Sequence, residues 1–255
     1  MDSSGFLLYE FPCNEKVRML LRLESLFARF DWFCEQASPI ASHAAINALF
    51  DLVDASARSD LRNELLRELE HSRATLVALR GNAEVNQQAL EESIGECMQT
   101  MRDINRVIGR SGQAIRDNEW LQLVRTRQSI PGGTCVFDMP MLHYWLSQPA
   151  ASRQSELRAW GETLTPLKHA VFFVLRHLRS STQESWCTAS GGMYQLSMTG
   201  KSYALARIWL PEAEMIIPEV SANKYMLWIR FSRPDERRRL HAAQERVSFR
   251  LGLCA

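Results

Sequence analysis

Apolar positions recur every three to four residues from Asn14 to about Ser181, and every second residue after that. The first regime predicts helices. Asn14 is placed to cap a helix through Val17, Leu20, Leu21, Phe27, Phe30 and Phe33, with Ser38 and Pro39 closing it, and a second helix fits 42–54. Ser59 or Asp60 opens a long third helix carrying Leu61, Leu65, Leu69, Leu76 and Leu79, which Gly81 and Asn82 end as a left-handed cap does. From Asn86 onward, Leu90, Ile94, Cys97, Met101, Ile104 and Ile108 alternate spacings of four and three. That heptad seam asks for another long helix, in the same chain or in a second copy. Shorter helices are expected over 117–128, 138–147, 152–160 and 165–180, the last opened by Thr165 and Pro166.

The second regime predicts strands over 193–198, 202–210, 225–231 and 247–253, with Gly191-Gly192 and Thr199-Gly200-Lys201 as turns. Tyr9 to Phe11 offers one more strand from the far end of the chain. The fold class is therefore α+β: a helical domain over 12–182, then a smaller antiparallel β-domain over 183–255 that residues 5–11 can join. In the strand 225–231, Tyr225, Leu227, Ile229 and Phe231 form a core face, leaving Met226, Trp228 and Arg230 on the other. Arg250 leaves its strand on the non-core side in the same way. An aromatic beside arginines on an open sheet face can clamp a peptide that mixes apolar and acidic residues; a sheet covered by helices, with Trp228 merely packed, accounts for the same pattern.

Composition narrows the classes. At 255 residues and 46% hydrophobic content the chain can bury a sizeable core. Its longest plain apolar run, AVFFVL from Ala170 to Leu175, is flanked by Lys168 and Arg176 and falls far short of the ~20 residues that span a bilayer. The opening MDSSGFLLYEF lacks the basic start of a secretory signal, so no membrane partner and a cytoplasmic location are the expectation. Cys13, Cys34, Cys97, Cys135, Cys187 and Cys254 are too scattered for a zinc cluster and read as free thiols. The net charge of +1 is uneven: 224–250 holds eight Lys/Arg against three Asp/Glu. Only four of the 30 basic residues are lysine, and arginine's planar fork suits carboxylates and phosphates.

Candidate chemistry is sparse. The stretch QSIPGGTCVFDMPMLHYWL (128–146) has two adjacent glycines, but no lysine follows Gly133 to reach a phosphate and no G-x-G-x-x-G spacing exists. Cys135 and His143 could be paired as nucleophile and base, yet no elbow motif and no orienting acid accompany them. His143, between Leu142 and Tyr144, suits a hydrogen-bonded structural role as well as a ligand contact. Glu68, Glu70 and His71 miss the zinc-protease spacing, and Glu91 and Glu92 point to different sides of a helix. No catalytic set, metal site or cofactor is expected. Arg233, Arg237, Arg238, Arg239 and Arg246 keep a nucleic-acid-binding alternative open, though a pI near 7.7 supports it weakly; an unrecognised small-molecule enzyme using Cys135 and His143 is the other alternative.

Four segments carry a resemblance. YEFPCNEKVRMLLRLE (9–24), SDLRNELLRELE (59–70), LVRTRQSIPGGTCVFDMPMLHYWL (123–146) and NKYMLWIRF (223–231) resemble, in the same order over nearly the whole chain, the Z-ring-associated protein D (ZapD) family of bacterial cell division. The resemblance implies a non-enzymatic homodimer, cytoplasmic at the mid-cell division site, that binds the C-terminal tail peptide of the tubulin-like protein FtsZ and bundles FtsZ filaments. It implies no nucleic-acid partner. By motif position the family's basic surface falls on Arg22, Arg58, His143, Lys224 and Arg230, to which the strand alternation adds Trp228. Two positions depart from the family pattern: Met226 stands where an arginine can lie between the lysine and Arg230, and Glu119 where one can precede LVRTR.

Overall fold

In the computed structural model, which describes residues 5–57, 60–107, 109–198, 200 and 202–255, the chain forms two compact units. Met19–Val174 make one; Met1–Arg18 with Leu175–Ala255 make the other. Arg58, Ser59, Ile108, Thr199 and Lys201, all named above, lie outside the described residues.

The helices start where short polar side chains satisfy the free amides of a first turn. Asn14 caps α1 (Glu15–Glu35), its Oδ1 accepting from the Val17 amide at 2.8 Å. Asn86 does the same for α4 (Gln87–Arg106), accepting from Gln88 and Ala89, and Asn118 for α6 (Glu119–Gln128), accepting from Leu121. Ser38 and Pro39 do not close the first helix. They open α2 (Pro39–Ala55), because proline has no amide to lose at a first helical position. The remaining helices are α3 (Leu61–Ala78), α5 (Gln113–Arg116), α7 (Pro140–Ser147), α8 (Ala150–Glu162) and α9 (Thr165–Ser180). Periodicity did not indicate α5; four residues are too few to show one.

In the helical unit α2 is the most enclosed element, with Ala45, Ile46, Ala48, Leu49, Leu52 and Val53 buried. The seam on α4 packs on α3: Leu90, Ile94, Cys97 and Ile104 are buried with Leu61, Leu65, Leu69 and Leu76. Trp120, Trp145 and Trp160 stack with centroids 5.5 to 5.9 Å apart, and Trp145 Nε1 donates to Glu156. Arg153 is buried but fully engaged, donating to Ser42 Oγ and to the carbonyl oxygens of Ala37, Leu146 and Gln148. Replacing it would strand several acceptors, so it fixes the ends of α7 and α8.

The other unit is built from two antiparallel sheets with a shared core. One has the order β1-β4-β8-β2, from β1 (Phe6–Pro12), β4 (Leu205–Pro211), β8 (Val247–Cys254) and β2 (Gln183–Ala189). The N-terminal strand thus joins the β region by pairing with β4, Tyr9 opposite Ile208. The second has the order β3-β6-β5, from β3 (Met193–Ser197), β6 (Met226–Pro234) and β5 (Ile217–Ala222), with β7 (Leu240–Ala242) also on β6. Ile208 and Leu210, Val247, Phe249 and Leu251, and Leu227, Ile229 and Phe231 meet between them. Gly192 sits at positive φ (67°) where a Cβ would collide with the Ala243 carbonyl, so the turn before β3 needs glycine.

Candidate peptide-binding face

Strand β6 sets the site. Its inward residues Leu227, Ile229 and Phe231 are wholly buried, so Met226, Trp228 and Arg230 project from the outer face of the second sheet. Tyr225 does not continue the core face as the alternation predicts. It precedes the strand, 56% exposed, because Asn223 Oδ1 takes the amides of Tyr225 and Met226 and turns the chain there. Register completes two rows across the sheet: Met193, Arg230 and Glu219, then Gln195, Trp228 and Ser221. A groove of about 300 Å³ lies over them, its lining including Met193, Glu219, Ser221, Trp228 and Arg230.

The two sheets use arginine differently. On the outer face of the first, Arg250 stacks 4.5 Å over Trp209 and pairs with Glu184 at 3.2 Å, with 17% of its side chain exposed. Arg207 and Arg179 both bind Glu10, at 2.9 and 2.6 Å. These guanidiniums are spent on holding the unit together. Arg230 is exposed and forms no ion pair with any described residue. Its charge is available.

The other residues named from sequence are distributed as follows. Lys224 is exposed in the turn before β6, its ammonium 4.7 Å over the Tyr225 ring; the length of the strand's outward face separates it from Arg230. Arg22 is exposed on α1 and His143 exposed on α7, both in the helical unit. Arg58 lies outside the described residues. Met226 is half-buried beside Trp228, and Glu119 opens α6. Of the six candidates, the structure brings Trp228 and Arg230 together on one groove. Met193 and Glu219 were not anticipated; Glu219 lies on β5, a strand that sequence periodicity did not reveal.

The alternatives find little support in geometry. The Cys135 thiol donates to Asp138 Oδ2 at 3.4 Å, and no hydrogen bond joins it to His143 among the described residues. Asp138 is therefore engaged there and does not cap α7, whose N-cap is Met139. Burial pushes the Cys13 and Cys97 thiols up to about 11 and Cys34 to about 12, which keeps them protonated and weakly nucleophilic. The Pro-Gly-Gly segment is a chain reversal: Gly133 donates to Ile130, and a Cβ there would collide with the Arg127 carbonyl at the end of α6. Among the described residues no cluster of His, Cys, Asp and Glu could hold a metal ion, and no helix is long and apolar enough to cross a membrane.

These elements define a two-unit α+β protein with an open arginine-aromatic sheet face. A family model described as "ZapD: Cell division protein" matches residues 21–230. The chain is 43% identical over 249 residues to cell division protein ZapD of Cupriavidus pinatubonensis (strain JMP 134 / LMG 1197), covering 97% of this chain and 99% of that protein. The ZapD proteins of Ralstonia pickettii (strain 12J) and Ralstonia nicotianae (strain ATCC BAA-1114 / GMI1000) are 43% and 42% identical over the same shares. The chain belongs to the ZapD family of cell division proteins.

Proposed function

We propose that this chain is a non-enzymatic division factor that binds the C-terminal tail peptide of FtsZ and, as a homodimer, cross-links and bundles FtsZ filaments at the cytoplasmic mid-cell division site. Membership of a cell-division family supports the setting. The observation that carries the binding mode is Arg230, an uncommitted guanidinium beside Trp228 at the edge of a groove that fits a short segment rather than a globular surface. Lys224 lies in the same unit as this groove; Arg22, Arg58 and His143 are assigned to FtsZ binding on the strength of the family resemblance alone. Bundling needs two sites held apart, which a dimer provides, and linking two weak sites gives the avidity that one lacks.

Co-sedimentation tests the reading. Purified protein is expected to bring down full-length FtsZ filaments as bundles and to leave filaments of tail-less FtsZ in the supernatant. Equal bundling of tail-less FtsZ overturns the tail-peptide assignment, and bundling by a species that light scattering shows to be monomeric overturns the dimer.

A further inference from the structure

Arg230 and Glu219 are direct cross-strand partners on the outer face of the second sheet. Such partners have Cβ atoms about 4.5–5.5 Å apart, an easy reach for two long side chains of opposite charge. They nevertheless form no ion pair, and both are exposed. The contrast lies within the same unit, where Arg233 closes on Glu245 at 2.6 Å, Arg207 on Glu10 at 2.9 Å and Arg250 on Glu184 at 3.2 Å. The groove therefore presents a positive and a negative group side by side at its Met193 end, neither paired with a described residue, and the uncharged row of Gln195, Trp228 and Ser221 next to them.

We propose that Glu219 is a specificity-determining residue of this groove, selecting an amphoteric peptide that gives a carboxylate to Arg230 and a lysine or arginine to Glu219. The inference rests on the reading that this face binds the FtsZ tail. A purely acidic segment satisfies Arg230 but brings its remaining charge against Glu219, and a purely basic one does the reverse. Only a segment carrying both signs neutralises the pair. Adjacent strands are about 4.8 Å apart, so the ligand's two charges belong two positions apart on an extended segment or three to four apart on a helical turn. Neighbouring positions point to opposite sides and do not fit. An apolar side chain of the same segment then covers Trp228.

The test is a two-by-two comparison by fluorescence anisotropy. Wild type and Glu219→Gln are each titrated against the FtsZ C-terminal peptide, in its native form and with every Lys and Arg replaced by glutamine. For wild type the neutralised peptide is expected to bind about three- to fivefold more weakly, the upper range for an exposed ion pair; for Glu219→Gln the two peptides bind alike. An equal loss in both proteins overturns the proposal, and so does a Glu219→Gln protein that binds both peptides tighter by one common factor, since Glu219 then only opposes Arg230. Failure of wild type to saturate with the native peptide is a separate result that removes the peptide-binding reading itself and the inference with it. Glu219 is exposed on an edge strand, so the variant's circular-dichroism melt should match wild type.

Discussion

The Cys97 thiol on α4 lies 3.2 Å from the carbonyl oxygen of Leu69 on α3. The heptad seam of α4 is thus met by α3 of the same chain and is not a surface waiting for a second copy. Putting a carboxylate at Ile94, which is 4% exposed, is expected to cost about 3 kcal/mol or more and to yield unfolded or insoluble protein. Met101 on the seam's half-exposed margin should tolerate the same change with about 1 kcal/mol or less. Urea denaturation of the two variants checks this; a well-folded monomeric Ile94→Asp protein would return the seam to the dimer interface.

Arg230 projects opposite the buried Ile229 and Phe231, so its charge can be reversed without touching the core. Arg230→Glu is expected to weaken tail-peptide binding by about 2 kcal/mol, roughly thirtyfold, through loss of one charge-assisted contact and repulsion of the ligand carboxylate. The melting temperature should stay put. Arg239→Glu, on the exposed β6–β7 turn, should change peptide affinity little. Because the contact is exposed, raising salt from 0.1 to 0.5 M should weaken wild-type binding well before it affects folding. Wild-type affinity in a folded Arg230→Glu protein would move the site elsewhere.

Glu10 on β1 accepts from Arg179 Nε and Nη2 at 2.9 and 2.6 Å and from Arg207 Nε at 2.9 Å, with 17% of its side chain exposed. One carboxylate neutralises two guanidiniums, and by doing so ties the N-terminal strand to β4 and to the last turn of α9. Glu10→Gln keeps the shape and removes the half-buried carboxylate that Arg179 and Arg207 share, which should cost about 2 kcal/mol. Glu15→Gln, an exposed carboxylate paired with the half-exposed Arg18, serves as the control and should cost less than about 0.5 kcal/mol. Equal midpoints for the two variants in chemical denaturation would show that the Glu10 pairing contributes nothing net.

What was legible in the sequence follows from how much chain each signal spans. Long helices such as α1, α3 and α4 repeat their apolar spacing over several turns and declare themselves, down to the Asn14 cap. Strands β2, β5 and β7 did not. In β2 the residues Gln183 to Trp186 are all exposed, so an edge position erases the alternation. In β5 a proline, tolerated because the strand is an edge, interrupts the pattern. All three residues of β7 are exposed. The same gap hid half of the groove. The parity of β6 pointed Trp228 and Arg230 outward, but Glu219 enters only through pairing of β5 with β6, a long-range fact that spacing along one segment does not contain. Parity likewise could not separate Arg230 from Arg250; both point outward, and only the contacts to Trp209 and Glu184 show that the second is occupied.

His43 on α2 gives a pH dependence with a definite sign. Its Nε2 is buried without a hydrogen-bond partner, and burial lowers its pKa from the ordinary value of 6.5. In the unfolded chain the ring takes up a proton as pH falls through that value, whereas in the fold it resists doing so. Below pH 6.5 the unfolded state therefore binds more protons, and stability falls with pH until the folded ring also protonates. Above that value the contribution is complete and flat. Wild type should lose urea resistance between pH 7.5 and 5 beyond what its carboxylates account for. His43→Gln removes the titration while retaining a polar side chain of similar reach; it should be less stable than wild type at pH 7.5 and show a shallower decline toward pH 5. Midpoints measured across that range in both proteins decide it, and parallel curves would mean that His43 titrates alike folded and unfolded.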